Sequence, residues 1–459
     1  MSLFKEEIPR VLVVGHTPFH YGTGTAMTLS NLFAGWPKDR LGQIYTANIT
    51  PSRDVCERYF HLPPRERYLP IQYHSMRLLG WNGSSSPQQT KAVSALRAGT
   101  ELRPTLAKIY ANMKAIDDLS PLRITPALTR WAREFGPELV YSVSGSSKHM
   151  RIASAIARTC GVPLVPYFTD DWPATLYTNG ELLGVARRAV RQETERLIGL
   201  APLGIVISRP MAQEYSRRYG IPFSVFTNCV DDAFFPSPRD GVTPPEELLE
   251  LVYVGALHLN RWKSLRDIGE ALDVVTEGRM PVRLTVHSPA ADLARYGKYL
   301  THIKHIRLGA PLASHEVPAA LRSATILVHV ESFDEEVRRY TRYSVSTKIP
   351  QYLATGRPIL GYGPTEVASM NHIREANAGV VVGKNDAAAL AGALMGLCRD
   401  TNLRGQLARN GLAFARREHA RENVTARFAT TLRSAVAATV VTSDIASTRA
   451  AHLPVDKQR

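Results

Sequence analysis

Apolar runs of strand length alternate along this chain with segments whose apolar residues recur at helical spacing. The run at 10–16 (RVLVVGH) is continuous and ends in a glycine-bearing loop, and 25–36 has the spacing of a helix. Two strand–helix–strand units follow, at 138–172 and at 203–228. Continuous apolar strands that alternate with helices are typical of parallel sheets covered on both faces. The pattern therefore predicts an α/β protein built from doubly wound layers.

A proline-rich segment interrupts this alternation. Residues 231–247 contain four prolines, several charges and few apolar residues, which is the composition of a linker. The alternation then resumes, with strands predicted at 249–257, 282–288, 305–310, 324–330 and 378–383, helices at 264–276 and 315–323, and three further helices to about residue 436. The length and the pattern together predict two domains.

The domain boundaries follow from this break. We predict an N-terminal domain over 1–236, a linker over 237–247, a C-terminal domain with terminal helices over 248–436 and a flexible tail over 437–459. Residues 75–125 fit no strand pattern and are predicted to form a helical insertion. Because open parallel sheets bind ligands beyond the carboxyl ends of their strands, we expect the site in the cleft between the two domains.

Candidate site residues follow two of the predicted N-terminal strands. The loop GHTPFHYGTGTAM contains Gly22, Thr23 and Gly24 ahead of a helix. It has neither a GxGxxG fingerprint nor a P-loop lysine, but its backbone N–H groups can approach a phosphate. Asp170 and Asp171 end a buried strand, where a carboxylate is costly unless it is paired or reaches a cleft. We expect either aspartate to orient a substrate hydroxyl, with a helix N-cap as the alternative. For the glycine loop, an ordinary βα turn is the alternative.

The first strand of the second half predicts a site for an anion. Gly255 ends that strand in YVGALHLNRWKSL, and Arg261 and Lys263 follow before a helix. Two cations at the carboxyl edge of a sheet suit a diphosphate, to which arginine offers two parallel hydrogen bonds. Surface charge without a bound partner is the alternative.

The segment YSVSTKIPQYLATGRPILGYGP (343–364) is a further candidate. Ser346 or Thr347 is placed to cap a short helix, Lys348 lies in its first turn, and Gln351 follows one turn later. A lysine at a helix N-terminus opposes the helix dipole, so we expect it to bind an anion such as a phosphate. Simple capping with a solvated lysine is the alternative.

Charge and cysteine content restrict the partners. The formal net charge is +15, which favours nucleotides, phospholipid head groups or nucleic acid unless it only reflects an arginine-rich composition. The four cysteines lie far apart without a CxxC pair, which argues against a structural zinc site and a disulfide scaffold. No apolar stretch approaches the ~20 residues of a membrane span, and the N-terminus is not typical of a signal peptide. We expect a cytoplasmic protein.

In this order, the segments resemble the GT-B-fold retaining glycosyltransferases, specifically family-4-type enzymes of bacterial surface polysaccharide biosynthesis. The resemblance covers most of 10–430 and is carried by VISRPMAQEYSRRYGIPFSVFTNCVDDAFFP, LVYVGALHLNRWKSL and ILVHVESFDEEVRRYTRYSVSTKIPQYLATGRPILGYGP. It implies a GT-B fold, in which two Rossmann-like domains face a central cleft. It also implies transfer of a sugar, of hexose type, from a nucleoside-diphosphate sugar to a hydroxyl of a glycan or lipid-linked acceptor, with retention of configuration.

The resemblance implies roles for the candidate residues. Those implied in catalysis are Asp170, Asp171, Arg261 and Lys348. Those implied in binding the nucleotide sugar are Gly22, Thr23, Gly24, Gly255, Arg261, Lys263, Ser346, Thr347, Lys348 and Gln351. The nucleotide sugar is a donor substrate whose base is left open. Neither a cofactor nor a metal is implied.

The chain departs from the family at two positions. Many relatives carry a Glu-x7-Glu pair, and Tyr343 and Gln351 stand in its place. A glutamine still bonds a ribose diol, but without charge assistance. A catalytically silent sugar-nucleotide-binding protein, which Gln351 suggests, and a sugar-nucleotide epimerase, which shares the two-domain architecture, are the alternatives. The upstream acidic residues expected to reach the sugar are Glu331, Asp334, Glu335 and Glu336.

An arginine-rich helical region lies at 404–428 (RGQLARNGLAFARREHARENVTARF). It lacks the interleaved aromatic residues that stack on bases, so we expect no nucleic acid partner. We expect it instead to support peripheral association with an anionic membrane, at the inner face where a lipid-linked acceptor would lie.

Overall fold

The structure is a computed structural model of the chain, and it describes residues 8–22, 24–68, 74, 104–236, 248–276 and 281–451. The predictions that fall on Thr23, on the linker 237–247, on 75–103 of the insertion and on 452–459 of the tail therefore lie outside the described residues. The described part forms two α/β domains, each built around a parallel sheet.

The N-terminal domain follows the predicted alternation of strands and helices. Its elements, in chain order, are β1 Val11–Gly15, α1 Gly24–Leu32, β2 Leu41–Tyr45, β3 Arg58–His61, α2 Pro64–Arg67, α3 Pro104–Leu119, α4 Pro126–Phe135, β4 Leu139–Val143, α5 Ser147–Cys160, β5 Leu164–Phe168, α6 Trp172–Thr175, α7 Val185–Ile198, β6 Gly204–Val206, α8 Arg209–Tyr219 and β7 Phe223–Val225. Short 3-10 turns lie at Lys38–Arg40, Glu181–Gly184 and Asp232–Phe234.

The C-terminal domain repeats the same alternation. Its elements are β8 Leu249–Val254, α9 Arg261–Thr276, β9 Val282–His287, α10 Ala290–Tyr296, β10 Ile306–Leu308, α11 Val317–Arg322, β11 Ile326–Val330, α12 Glu335–Thr341, α13 Lys348–Ala354, β12 Ile359–Tyr362, α14 Ala368–Glu375, β13 Gly379–Val382, α15 Ala387–Arg399, α16 Thr401–Glu418 and α17 Arg421–Ala451. A 3-10 turn at Gly297–Tyr299 follows α10.

In both sheets the strand order reverses next to the first strand, because the first strands are added on one side of it and the later strands on the other. Over the described residues, the first sheet has seven strands in the order β3-β2-β1-β4-β5-β6-β7, and the second has six in the order β10-β9-β8-β11-β12-β13. All of the strand pairs are parallel. The reversal lies between β1 and β4 in one domain and between β8 and β11 in the other. Crevices for ligands form at the carboxyl ends of strands at such points.

Local sequence explains where the helices of the predicted strand–helix–strand units begin and end. The hydroxyls of Ser146 and Ser208 accept hydrogen bonds from backbone N–H groups at the starts of α5 and α8. Gly161 and Gly220 end the same helices with φ of 67° and 72°, the left-handed conformation that favours glycine. The strands of these units, such as β5, have no exposed residue. Both units are thereby confirmed.

The last helix differs from the prediction. It continues to Ala451 instead of ending near residue 436, and it packs against the N-terminal sheet rather than its own domain. Val424, Phe428 and Leu432 are buried on one side of it, and the Phe428 ring lies 5.0 Å from that of Phe33. The helix is rich in Ala, Thr and Ser, so its apolar stripe is narrow and gave a weak periodic signal. Within the described residues, no helix is long and apolar enough to cross a bilayer.

Candidate active site

The carboxyl edges of the two sheets meet across a cleft. Gly24, the first residue of α1, lies so close to the C-terminal domain that a Cβ built on it would be 3.5 Å from Thr347. Further along the same two helices, the Gln351 amide contacts the Met27 sulfur at 3.7 Å. The glycine loop of one domain and the start of α13 in the other therefore form facing walls.

Three N-terminal side chains hold the segment 343–347 that leads into α13. The Ser208 hydroxyl donates to the Tyr343 carbonyl at 2.7 Å, and the Asn228 amide donates to the Thr347 carbonyl at 3.1 Å. Between these contacts, the Ser344 hydroxyl donates to Asp170 at 2.6 Å. The position of the residue that follows, Lys348, thus depends on both domains.

A buried ion pair lies at the carboxyl ends of β8 and β11. Arg261 opens α9, and its Nη2 lies 3.1 Å from Oε2 of Glu331, with the side chains 12% and 2% exposed. His329 adds a contact of 3.2 Å between its Nε2 and Oε1 of the same carboxylate. Burial acts to raise the pKa of Glu331, but the Arg261 charge and His329 outweigh it and lower that pKa to about 2. Glu331 is therefore a carboxylate that compensates Arg261.

Lys348 brings a second cation to this ion pair. Its ammonium nitrogen lies 2.6 Å from where a Cβ on Gly255 would be, so only a glycine leaves room for it. Burial, followed by the charge of Arg261, lowers the pKa of Lys348 to about 7. With one carboxylate against two cationic groups, this centre attracts an anion. We call Gly255, Arg261, Glu331 and Lys348 the cationic centre.

A strained loop sets the position of Arg261. Leu259 and Asn260, just before α9, have φ of 59° and 58°, which L-residues adopt at a cost of roughly 1–2 kcal/mol each. The Asn260 amide bonds Asp334, and Lys263 pairs with the same carboxylate at 3.2 Å while remaining half exposed. Lys263 thus lies at the rim with its charge compensated, outside the cationic centre.

The structure separates the two predicted aspartates. Asp170 lies at the cleft, bonded by Thr169 and Ser344, and burial raises the pKa of Asp170. Asp171 points into the N-terminal domain, where it accepts hydrogen bonds of 2.8 Å from the Tyr215 hydroxyl and 2.9 Å from Arg218. A carboxylate held in a buried ion pair is not available to a substrate hydroxyl. The prediction that Asp171 orients an acceptor is therefore corrected.

Of the remaining predicted residues, Gly22 and Ser346 form local hydrogen bonds. The Gly22 N–H donates to Nδ1 of His20 at 2.9 Å, and Thr23 beside it lies outside the described residues. The Ser346 N–H donates to Ser369 at 3.1 Å. The hydroxyl of Thr347 does not cap α13, contrary to the expectation for this residue.

Sequence reasoning missed the compensating partners. Glu331 was expected to reach the sugar, and His329 and Asn228 were not singled out. A signal existed for His329 and Glu331. His329 lies within a continuous apolar strand and Glu331 directly follows it, so both side chains must find buried partners. For Asn228 the signal was absent, since its partners Asn31 and Thr347 are remote in sequence.

Comparison with known proteins agrees with the two-domain α/β fold. Residues 263–430 match the family model described as glycosyl transferase-like. No curated protein sequence matches the chain. The described elements and the three structures below share two facing α/β domains. The chain has the GT-B fold.

Three solved structures illustrate the likeness. Anabaena HepE, in complex with UDP and glucose, has a TM-score of 0.58 at 13% identity, with 93% of this chain and 100% of that chain covered. Sucrose-phosphate synthase of Thermosynechococcus elongatus has a TM-score of 0.59 at 12% identity, with 93% of this chain and 99% of that chain covered. WaaG, a glycosyltransferase involved in lipopolysaccharide biosynthesis, has a TM-score of 0.53 at 13% identity, with 91% of this chain and 98% of that chain covered. At such identities the likeness establishes the fold, and with the family match it supports a GT-B glycosyltransferase.

Proposed function

We propose that this protein is a retaining glycosyltransferase of family-4 type. It moves a sugar, of hexose type, from a nucleoside-diphosphate sugar to a hydroxyl of a glycan or lipid-linked acceptor in surface polysaccharide synthesis. The donor is a substrate with an open choice of base, and the reaction uses no further cofactor. The cationic centre carries this proposal.

The composition of the cationic centre favours a diphosphate. Arg261 and Lys348 come from segments far apart in the chain, and burial together with the charge of Arg261 lowers the pKa of Lys348 to about 7. Holding two cations together in a buried place is costly unless an anion joins them. Glu331 compensates one of the two charges, and the Nε of Arg261 has no hydrogen-bond partner although it is buried. A diphosphate would supply the missing charge and acceptors.

The same charges suit the chemistry of glycosyl transfer. When the bond between the anomeric carbon and the phosphate oxygen breaks, negative charge grows on the departing diphosphate. Fixed cations directed at that oxygen lower the barrier, and such groups typically contribute 10²–10³-fold each in rate. Retention follows if the acceptor oxygen approaches from the face that the diphosphate leaves. The N-terminal wall at Asp170 is the side from which the acceptor enters, and the loop with Gly22 and Gly24 faces the donor phosphates.

The sequence departure at Gln351 bears on the ribose of the donor. The Gln351 amide faces Met27 across the cleft, at the start of the helix that also carries Lys348. We propose that it bonds the ribose through its neutral amide once a donor occupies the site. Binding would then be weaker than with a carboxylate but retained.

A panel of UDP-, GDP-, ADP- and dTDP-sugars tests the function. A ligand that binds the native state raises the melting temperature with concentration, by an amount set by its affinity. We expect one donor series to do so, and we expect release of the free nucleoside diphosphate once an acceptor is supplied. Binding without release under any acceptor would favour the catalytically silent alternative, and no shift with any donor would contradict the proposal.

A further inference from the structure

Helix α13 turns two of its side chains toward the cleft. Ile349, Pro350 and residues 352–354 are buried, whereas Lys348 and Gln351 are only partly buried. Residues three apart in a helix lie on the same face, one turn from each other. A ligand whose phosphates bind at Lys348 therefore has Gln351 beside the group that is attached to those phosphates.

The amide of Gln351 contacts a thioether across the cleft. Its Nε2 lies 3.7 Å from the sulfur of Met27, a residue of α1 in the N-terminal domain. The amide nitrogen rather than the oxygen faces the sulfur, because a thioether sulfur is a weak acceptor and would repel a second acceptor. The Oε1 atom is therefore the end of the amide that is turned toward a ligand.

The two pentoses of nucleotides differ in what they require here. Ribose has adjacent 2′ and 3′ hydroxyls, which the two oxygens of a carboxylate can accept together, whereas 2′-deoxyribose has the 3′ hydroxyl and a CH₂ group at C2′. Gln351 and Met27 offer one amide oxygen and, beside it, a polarisable thioether. A hydroxyl against the thioether would lose hydrogen bonds to water without a strong replacement, but a CH₂ group packs well there.

Nearby carboxylates are already used within the protein. Both oxygens of Glu331 are engaged, Oε2 by Arg261 at 3.1 Å and Oε1 by His329 at 3.2 Å. Asp334 is bonded by Asn260 and paired with Lys263 at the rim. Neither carboxylate replaces the second acceptor that a ribose diol would find in a glutamate at position 351.

We propose that the donor is a 2′-deoxyribonucleoside-diphosphate sugar and that Gln351 and Met27 select its pentose. The Gln351 oxygen accepts the hydrogen bond of the 3′ hydroxyl, and the Met27 side chain packs against C2′. Among the donor series of the panel above, the dTDP-sugars belong to this class. The inference rests on the proposed function, because it requires the diphosphate at the cationic centre and the pentose at Gln351.

A ribonucleotide donor is the competing ligand. To bond both of its hydroxyls, the amide would have to turn its nitrogen away from Met27 and use both of its ends on the pentose. A site built to bond a hydroxyl rejects an analogue without that hydroxyl by about 10⁴–10⁵-fold, because its own polar group is left unpaired. The two ligands therefore predict opposite preferences for the 2′ hydroxyl.

Calorimetric titration with matched nucleoside diphosphates measures this preference. The pairs are 5-methyl-UDP and dTDP, UDP and 2′-deoxy-UDP, GDP and 2′-deoxy-GDP, and ADP and 2′-deoxy-ADP, whose members differ only in the 2′ hydroxyl. For the base that binds, we expect the wild type to bind the deoxy form about threefold to tenfold more tightly. Equal affinity within the pair, or a preference for the ribo form, would overturn the inference.

The variant Gln351→Glu tests the residue itself. A carboxylate supplies the second acceptor, so the preference should move toward the ribo form by about tenfold or more. Its negative charge near Lys348 acts on both members of a pair, and the ratio of their affinities therefore reports on the pentose alone. Gln406→Glu, the same change at an exposed position of α16, should leave the ratio as in the wild type. An unchanged ratio in Gln351→Glu would refute the role of Gln351.

The variant Met27→Gln tests the opposite wall. An amide beside C2′ should favour the ribo form by about threefold or more relative to the wild type, whereas Met395→Gln on α15, at a side chain that is 37% exposed, should not. Equal ratios in the two variants would remove Met27 from the account. Tight binding of ribo forms alone would refute the choice of pentose and leave the proposed function standing, whereas no binding of any diphosphate would contradict the proposed function itself.

Discussion

Gly255 has the most restricted position among the residues of the candidate site. A Cβ there would lie 2.6 Å from the Lys348 nitrogen and 2.7 Å from the Tyr253 hydroxyl. Its φ is not positive, so the restriction comes from space and not from backbone conformation. The absence of a side chain at this strand end is what leaves room for the Lys348 ammonium beside Gly255.

The substitution Gly255→Ala should therefore displace Lys348. The end of a lysine side chain moves easily but the buried Tyr253 hydroxyl does not, so we expect a lower melting temperature together with a loss of donor affinity of about tenfold to a hundredfold. Gly392→Ala, where a Cβ meets nothing within 4 Å, is the control. Equal affinity in the two variants, measured by calorimetry, would show that Lys348 does not contact the donor.

The pKa of Lys348 makes donor binding depend on pH. In the free protein that pKa is lowered to about 7, and a bound diphosphate would raise it again. Binding should then take up a proton above pH 7, so affinity for an intact nucleotide sugar falls as pH rises from 7 and is nearly constant below 6. Calorimetry in two buffers of different ionisation enthalpy measures the uptake. An affinity independent of pH between 6.5 and 9 would contradict this role.

At the residue scale, the sequence identified cations better than it identified their partners. Arg261 and Lys348 stand at the ends of predicted elements, where chemistry and position agree, and the structure brings them together. Asp170 and Asp171 are adjacent, and sequence could not tell which side chain faces the cleft. That choice depends on Tyr215 and Arg218 of α8, which become neighbours only in the fold.

At the scale of elements, the segment 343–347 connects the domains. Asn228 bonds the carbonyl just before Lys348 and is itself held by Asn31, with 2.8 Å between the two amides. A typical hydrogen bond contributes about 0.5–1.5 kcal/mol. Loss of the hydrogen bond from Asn228 would free the start of α13, which carries Lys348.

We expect Asn228→Ala to weaken donor binding by up to about tenfold, in line with the free energy of one hydrogen bond. Asn410→Ala is a matched control, because the Asn410 amide also bonds a backbone carbonyl at 3.1 Å but lies away from the cleft. If thermal shifts with the donor are the same in both variants, the segment is positioned by other contacts.

The fold was predictable at the scale of elements because the buried parallel strands read as continuous apolar runs. The five residues of β1, for example, are all buried, and so are those of β11. Strands β2 and β3 escaped prediction, since Gly42 and Gln43 interrupt the apolar run of LGQIY, and RYFH has no fully buried residue and no clear alternation. Helix α12 was not predicted either, because it is short and charged and its position depends on the neighbouring loop.

At the scale of the whole molecule, helix α17 returns from the C-terminal to the N-terminal domain. Phe428 is fully buried there among Phe33, Tyr141 and Phe226. Its entry is paired to the N-terminal domain by backbone hydrogen bonds between Val230 and the residues around 420. The end of the C-terminal domain is thus packed against the N-terminal domain.

Phe428→Ala should lower the free energy of unfolding by about 3–5 kcal/mol, the usual cost of deleting a buried aromatic side chain. Urea denaturation followed by fluorescence measures it. Tyr299→Ala, which removes an aromatic ring that is 37% exposed, should cost much less. Similar losses in the two variants would mean that α17 is not docked in the N-terminal core.

Binding of a nucleotide sugar at the cationic centre is the central claim. Calorimetric titration of the wild type, of Lys348→Met and of the exposed-lysine control Lys304→Met with the donor selected by thermal shift tests it most directly. Since a hydrogen bond to a charged group contributes about 1.5–3 kcal/mol, Lys348→Met should bind at least about tenfold more weakly, and Lys304→Met should bind as the wild type does. Equal affinity in all three proteins, or no binding by the wild type, would contradict the account.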